Sequence, residues 1–343
     1  MRALLQLRRV WRLPVCDEPI TQMRFTPLIA AAIAVIGLAI GTTTSIAQGQ
    51  PPGASTPPVG MLHVQRNVHM LVVDGMNIAV QVGDDGVLLV DAATAAVAPQ
   101  VIAAIRTLSP KPIHTIINTH VHPDHTGGNE SLVKQRGTGA PQAVRVIAHQ
   151  TVQDRMIAAA PAGSSGGFRL NAVITLPINN TYDTPTKDFF LNGEPVVIYH
   201  APAAHTDGDS LVHFRSSDVI AVGDVFTPER YPIIDRATGG SVQGLIAALN
   251  HILEITVPAR FQEGGTYVIP GHGRLSDEAD VVEYRDMVTI IRDRVQDLIG
   301  KGLTWEQLKA AQPSRDYDIE YDAPGGAAPD AFVEAIYRSL TAK

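Results

Sequence analysis

The segment Thr119-His120-Val121-His122-Pro123-Asp124-His125-Thr126-Gly127-Gly128 places three imidazoles and one carboxylate within six consecutive residues, directly behind an apolar run. That run, Ile113-His114-Thr115-Ile116-Ile117-Asn118, reads as a short buried strand, and the glycine pair ends the turn that follows it. Four ligand-type side chains therefore sit on a strand-to-helix loop, where folds mount their chemistry. Neutral imidazole nitrogen and carboxylate oxygen are donors that zinc and iron accept. Four of them in one tight loop cannot all bind a single tetrahedral ion that also keeps an open position. Two adjacent metals are the economical reading.

The remaining ligands have to come from other strand ends, and three downstream segments supply them. His205 follows the apolar Val196-Val197-Ile198-Tyr199-His200, within Ala203-Ala204-His205-Thr206-Asp207-Gly208-Asp209. Asp224 ends Val219-Ile220-Ala221-Val222-Gly223, and His272 ends Tyr267-Val268-Ile269-Pro270-Gly271. In this order, from about residue 64 to about residue 273, HVHPDH, AHTDGD, VGDVF and IPGHG resemble the motifs of the metallo-β-lactamase superfamily. The resemblance implies an α/β fold, the αββα sandwich, with His120, His122 and His205 on one metal, Asp124, His125 and His272 on the other, and Asp224 bridging them. True metallo-β-lactamases carry Cys or Ser at the bridging position, so the chain resembles instead the hydroxyacylglutathione hydrolases and lactonases. Asp91, ending Gly86-Val87-Leu88-Leu89-Val90, matches the superfamily's acidic residue beneath the histidine loop. Its implied role is to accept the free N–H of a ligating imidazole.

The chemistry implied is that of two zinc ions per chain, with iron as the alternative metal. A hydroxide shared by the ions would attack the carbonyl of an ester, thioester, lactone or amide in a small-molecule substrate, and Asp124 would orient it and carry a proton. Electrostatics favours occupied metals, because Asp124 and Asp224 facing each other at close range could not both ionise. Two competing activities share the motifs: β-lactam hydrolysis, and the persulfide dioxygenase reaction, which uses one iron held by two His and one Asp. Flavodiiron proteins carry Glu at the second position of the first motif, where this chain has His122. Expected substrate contacts lie in the hairpin turn Val73-Asp74-Gly75-Met76-Asn77, with Met76 facing the site, at Arg230 and Tyr231 after the bridging acid, and in the glycine-rich residues 161–167. Of the twelve histidines, the seven outside the motifs read as ordinary surface or core residues.

The N-terminus follows different rules. Arg24, a thirteen-residue apolar run over 28–40 and the small residues Ser45 and Ala47 form the parts of a secretory signal, too short to span a bilayer. Asp17 and Glu18 do not suit such a signal, which makes Met23 the better start and residues 1–22 an upstream extension. Residues 48–60, rich in Pro, Gly, Ser and Thr, read as a disordered linker. Removing residues 1–47 takes five Arg and two acids from totals of 27 and 34, leaving a net charge of −10 and no basic stripe for nucleic acid. The only cysteine, Cys16, leaves with that segment, which suits a periplasmic or secreted chain with no stable membrane insertion.

Two halves echo each other, since Gly86 to Asp91 resembles Asp218 to Asp224, and Thr115 to His120 resembles Thr266 to His272. Helices over 97–108, 151–159 and 242–253 are expected to cover the outer faces of a catalytic domain spanning 61–275. Residues 276–343 change character. Val281, Tyr284, Val288, Ile291, Val295 and Leu298 follow the helical period, Thr304-Trp305-Glu306-Gln307 is a capping box, and Asp330 is expected to cap a last helix. Short loops predict that these helices pack on the sandwich. If the signal reading holds, mass spectrometry of the secreted chain gives a mature terminus at Gln48. A terminus upstream of Met23, or retention in the cytoplasm, contradicts it.

Overall fold

The structure is a computed structural model that describes residues 59–134, 143–159 and 178–341. The signal-like segment, all but the last two residues of the expected linker, and residues 161–167 lie outside the described residues. Among the described residues, regular structure begins at Gly60, one residue inside the stretch expected to be linker.

Twelve strands form two sheets among the described residues. The first holds β1 (Gly60–Gln65), β2 (Val68–Val73), β3 (Met76–Gly83), β4 (Gly86–Val90), β5 (Ile113–Ile117), β6 (Arg145–His149) and β7 (Asn180–Tyr182), in sequence order. The second holds β8 (Thr186–Leu191), β9 (Glu194–Ala201), β10 (Asp209–Phe214), β11 (Val219–Gly223) and β12 (Tyr267–Pro270), again side by side in chain order. Neighbours are antiparallel except β4 through β7 in the first sheet and β11 with β12 in the second. The internal echo is thus structural: each half contains a parallel pair whose first strand ends in Asp and whose second ends near His.

Burial explains why these strands read as unbroken apolar runs. In β4, Val87 and Leu89 face one cluster while Leu88 and Val90 face another, and all five residues are buried. Covering a strand on both faces removes the polar alternation that a one-sided sheet would show. The inner cluster joins Leu88, Ile117 and Ile147 of the first sheet to Val196, Val212, Phe214 and Ala221 of the second. Outside the first sheet pack α1 (Ala98–Leu108), through Val101 and Ile105, and α3 (Asn129–Lys134), through Leu132. The single turn α2 (Pro123–Thr126) precedes α3, and α4 (Gln150–Ala159) follows β6. Outside the second sheet pack α5 (Val242–Ile255) and α6 (Glu278–Gly300), through Leu245, Leu249, Val288 and Ile291. The layers are therefore α, β, β, α.

The C-terminal helices belong to that outer layer. A capping box of Asp277 and Asp280 opens α6, and one of Thr304 and Gln307 opens α7 (Trp305–Ala310). A short α8 (Asp318–Tyr321) precedes α9 (Pro329–Thr341). The last helix starts at Pro329, so Asp330 lies in its first turn and is not its cap; proline's fixed φ suits the first helical position. Phe332 and Ile336 of α9 are fully buried, and the Phe332 ring stacks on Tyr231 with centroids 5.2 Å apart. No described helix is long and apolar enough to cross a membrane. Phe332→Ala is expected to cost roughly 3–5 kcal/mol, the range for emptying a buried aromatic site. Urea unfolding followed by circular dichroism measures it, and a loss below about 1 kcal/mol means that α9 is not part of the folding unit.

Candidate metal centre

The motif residues lie in the segments that follow strands, at one edge where the two sheets meet. Asp91 follows β4, His120 follows β5, Asp224 follows β11 and His272 follows β12. His205 lies in the β9–β10 connection, and Asp124 and His125 ride on α2. Carboxyl ends of parallel strands are where α/β sheets build sites.

Seven residues form three groups whose donor atoms lie within 4.8 Å of one another: His120, His122 and His205; His120, His125 and Asp224; and Asp124, His125 and His272. In the first group, His122 Nδ1 lies 3.1 Å from His120 Nε2 and 3.0 Å from His205 Nε2. The other nitrogen of each ring is already committed. His122 Nε2–H donates to Asp235 at 3.0 Å, and His205 Nδ1–H donates to the Ile233 carbonyl at 2.7 Å. The Thr119 hydroxyl gives its proton to Asp91, so its oxygen accepts from His120 Nδ1–H at 3.0 Å. Three lone pairs consequently converge on one point, an arrangement that a cation satisfies and that nothing else nearby does.

The second group is built alike. His125 Nδ1–H donates to Asp91 at 2.7 Å, and His272 Nδ1–H donates to the Gly75 carbonyl at 2.8 Å. His272 Nε2 lies 3.3 Å, and His125 Nε2 3.7 Å, from Asp124 Oδ2. Asp224 stands between the groups, its oxygens 4.0 Å from His120 Nε2, 3.9 Å from His205, 3.3 Å from His125 and 3.6 Å from His272. His125 Nε2 and Asp224 Oδ1 are buried without a hydrogen-bond partner. Buried polar atoms rarely stay unpaired, and two orphans aimed at a cluster of donors fit a site for metal. Gly271 leaves room for this carboxylate, because a Cβ there would collide with Asp224 Oδ1.

The electrostatics of His120 and Asp224 agree with these roles. Burial and the neighbouring His125 and His205 hold the His120 imidazole well below its ordinary pKa, so its lone pair is free. Burial would raise the Asp224 carboxyl, but the His125, His120 and His205 rings hold it well below the usual carboxylate range. Burial also opposes a charge on His125, yet Asp91 and Asp224 on either side raise it well above the ordinary value.

Two acids position the candidate ligands, and one of them carries no sequence signal. Asp91, with a left-handed φ of 69°, accepts from His125, from the Thr119 amide at 2.8 Å and from the Thr119 hydroxyl at 2.8 Å. Asp235 has no motif around it. Its side chain accepts from His122 and from the Ala237 amide at 2.9 Å, and its own amide donates to the His205 carbonyl at 2.9 Å. Only the general need of ligating imidazoles for an acceptor pointed toward such a residue. Arg155 on α4 ties the two loops together, gripping Asp207 with Nε at 2.8 Å and Nη2 at 2.6 Å and reaching the Ala237 carbonyl at 3.3 Å.

The expected substrate contacts divide. A cavity of about 340 Å³ opens over the centre, lined by Asp74, Gly75, Asp124, Asp224, Arg230 and Gly325 among others. Met76 does not reach it. The two-residue turn Asp74-Gly75, with φ of 51° and 78°, starts β3 so that Met76 enters the core, 4% exposed, and the turn meets the site through Gly75. Tyr231 borders the cavity, but its ring is fully buried and its hydroxyl donates within the fold, toward Asp318 Oδ1 at 2.8 Å and the Ser314 carbonyl at 3.2 Å. It has no free donor for an anion. Arg230 remains in the cavity wall, and residues 161–167 lie outside the described residues. Of the other histidines, His149 and His200 stack on each other with centroids 3.6 Å apart, outside the three groups.

Fold, motif order and donor geometry define an α/β sandwich with a candidate metal centre at one edge. Residues 72–276 match the family model of the Metallo-beta-lactamase superfamily, and the chain belongs to that superfamily. It is 26% identical over 191 residues to the 2,4-dinitroanisole O-demethylase subunit alpha of Nocardioides sp. (strain JS1661), covering 54% of this chain and 52% of that protein. It is 24% identical over 242 residues to the linear primary-alkylsulfatase of Pseudomonas sp. (strain ATCC 19151), covering 61% and 44%. The chain spans about half the length of the curated relatives it matches. Among solved structures, the stereoselective inverting sec-alkylsulfatase Pisa1 from Pseudomonas sp. superposes with a TM-score of 0.63 at 17% identity, over 82% of this chain and 50% of that one.

Asp235→Ala removes the acceptor that orients His122 and is expected to weaken metal binding about 10- to 100-fold while leaving the fold intact. Competition with a chromophoric chelator measures it. An unchanged affinity shows that His122 needs no such support.

Proposed function

We propose that the chain is a two-metal hydrolase, loaded with zinc, that acts on small molecules in the periplasm or outside the cell. The observation that carries this reading is the Asp224 carboxylate, within 4.0 Å of donor nitrogens from both groups. Bound divalent ions would supply an activated water and Lewis-acid polarisation of a substrate oxygen. His120, His122 and His205 would hold one ion and Asp124, His125 and His272 the other, with Asp224 shared. The compartment rests on the signal-like N-terminus and on a chain without cysteine after Cys16.

The protein's own groups account for the proton traffic. Asp124 has a side chain 35% exposed in the cavity, against 12% for Asp224, so it is the carboxylate able to pass a proton between the reacting centre and solvent. Asp224 is enclosed by imidazoles and serves as a fixed negative charge. The bond broken is assigned to a carbonyl substrate: ester, thioester, lactone or amide. Sulfate-ester hydrolysis is the second reading, favoured because the alkylsulfatase likeness spans 82% of the chain, beyond the residues that the superfamily match covers.

Elemental analysis of protein purified without added metal is expected to give two zinc per chain; one iron would favour the dioxygenase alternative. Asp224→Ala should lower occupancy of both sites, whereas His272→Ala empties mainly one. Loss of a single metal in both variants contradicts a shared carboxylate. Asp124→Asn should retain much of the metal and lose about 10²- to 10⁴-fold in rate per bound zinc, the usual worth of general acid–base catalysis. Aryl esters, thioesters, lactones, a chromogenic cephalosporin and an alkyl sulfate form the assay panel. Turnover of none of them, with persulfide-dependent oxygen uptake, sinks the hydrolase reading.

A further inference from the structure

Arg230 is the only permanently positive side chain lining the cavity over the metal centre, among the described residues. It takes part in no hydrogen bond or ion pair among the described residues, and it is half-buried. Its surroundings show that this is not for want of acids. The adjacent Glu229 is taken by Arg274 at 3.0 Å, and Arg274 is matched again by Asp280 at 2.7 Å and 2.8 Å. Asp318, the acid on the neighbouring C-terminal helix, is engaged by the Tyr231 hydroxyl. A guanidinium has five donors in a planar fork, and leaving them all without a protein partner in a partly desolvated cavity costs free energy that an anionic ligand recovers.

The position of this guanidinium is set by the segment between α8 and α9. Gly325 has a φ of +92°, and a Cβ on it would stand 2.6 Å from Arg230 Nη1; a Cβ on Gly326 would stand 2.7 Å from the Arg230 Cβ. Backbone bonds lock the two segments together, Tyr231 N–H to the Tyr321 carbonyl at 2.9 Å and Ala327 N–H to the Tyr231 carbonyl at 3.1 Å. The arginine stem lies against bare glycine backbone, and its fork faces the cavity that Asp124 and Asp224 also line.

We propose that the cavity recognises an anionic group of its substrate, a carboxylate, sulfonate, sulfate or phosphate, through the Arg230 fork, and that the Gly325-Gly326 turn sets where that group is held. Arg230 is then a specificity residue, and the C-terminal helices are part of the recognition site. The word substrate rests on the hydrolase reading, but the binding does not depend on turnover.

The test is isothermal titration calorimetry of the protein as purified, with hexane-1-sulfonate and with hexan-1-ol as the uncharged match. Wild type is expected to bind the sulfonate more tightly than the alcohol. Arg230→Gln should weaken sulfonate binding about 10- to 100-fold, the range for a hydrogen bond to a charged group, and leave the alcohol unaffected. Arg230→Lys should fall between, since an ammonium keeps the charge but not the fork. Gly325→Ala, which displaces the guanidinium, should weaken the sulfonate alone. Metal content stays at the wild-type level in each variant. Sulfonate binding that is absent in wild type, unchanged in Arg230→Gln, or lost together with alcohol binding or metal overturns the proposal. Intact sulfonate selectivity without hydrolysis of any ester or alkyl sulfate sinks the hydrolase reading and leaves this one standing.

Discussion

The centre depends on one buried carboxylate held among four imidazole nitrogens. Among the described residues, Asp224 is the carboxylate whose oxygens lie within 4.0 Å of imidazole nitrogens of both clusters, and it follows a strand, β11, that is buried along its whole length. A carboxylate in such a place needs positive charge around it, and a set of converging lone pairs needs the same. Neither group is stable alone in the interior, whereas both are satisfied by a common cation. The fold brings these groups to one place: the loop after β5 carries His120, His122, Asp124 and His125, the β9–β10 connection carries His205, β11 and β12 are followed by Asp224 and His272, and Gly271 gives the carboxylate its space.

Around that core, the fold fixes each ring through its second nitrogen. Asp91, Asp235, Thr119 and the carbonyls of Ile233 and Gly75 each hold one imidazole, which sets the tautomer and aims the free lone pair inward. These acceptors come from four different loops, so an error in any one of them would misdirect a donor. The Arg155–Asp207 pair matters for the same reason, because it joins α4 to the loop that bears His205 and, through Ala237, to the loop that bears Asp235.

The C-terminal helices contribute more than cover. Phe332 supports Tyr231 from below, and the chain between α8 and α9 walls the cavity beside Arg230. A layer that reads in sequence as an amphipathic supplement thereby shapes the ground over the reacting centre.

Much of this was legible in the residues themselves. The strands β4, β5, β11 and β12 show as apolar runs because they are buried on both faces, and the ligand-type residues show because each stands directly after such a run. The long period of α6 and the capping box of α7 are local properties, so their positions could be read with no knowledge of neighbours. Asp235 was not legible, since its partner lies 113 residues away and an isolated Asp in a loop has no pattern. Met76 was misplaced for a related reason: proximity in sequence to Gly75 says which loop a residue belongs to, but not whether packing turns its side chain to the cavity or to the core, and Tyr231, which borders the cavity, has its hydroxyl engaged within the fold. The sequence alone determined the ligand types, their order and the strands that carry them, because those follow from short-range pattern. Tertiary structure alone decided which acids support the ligands, which cation is left unpaired and which wall it faces, because those depend on contacts between segments distant along the chain.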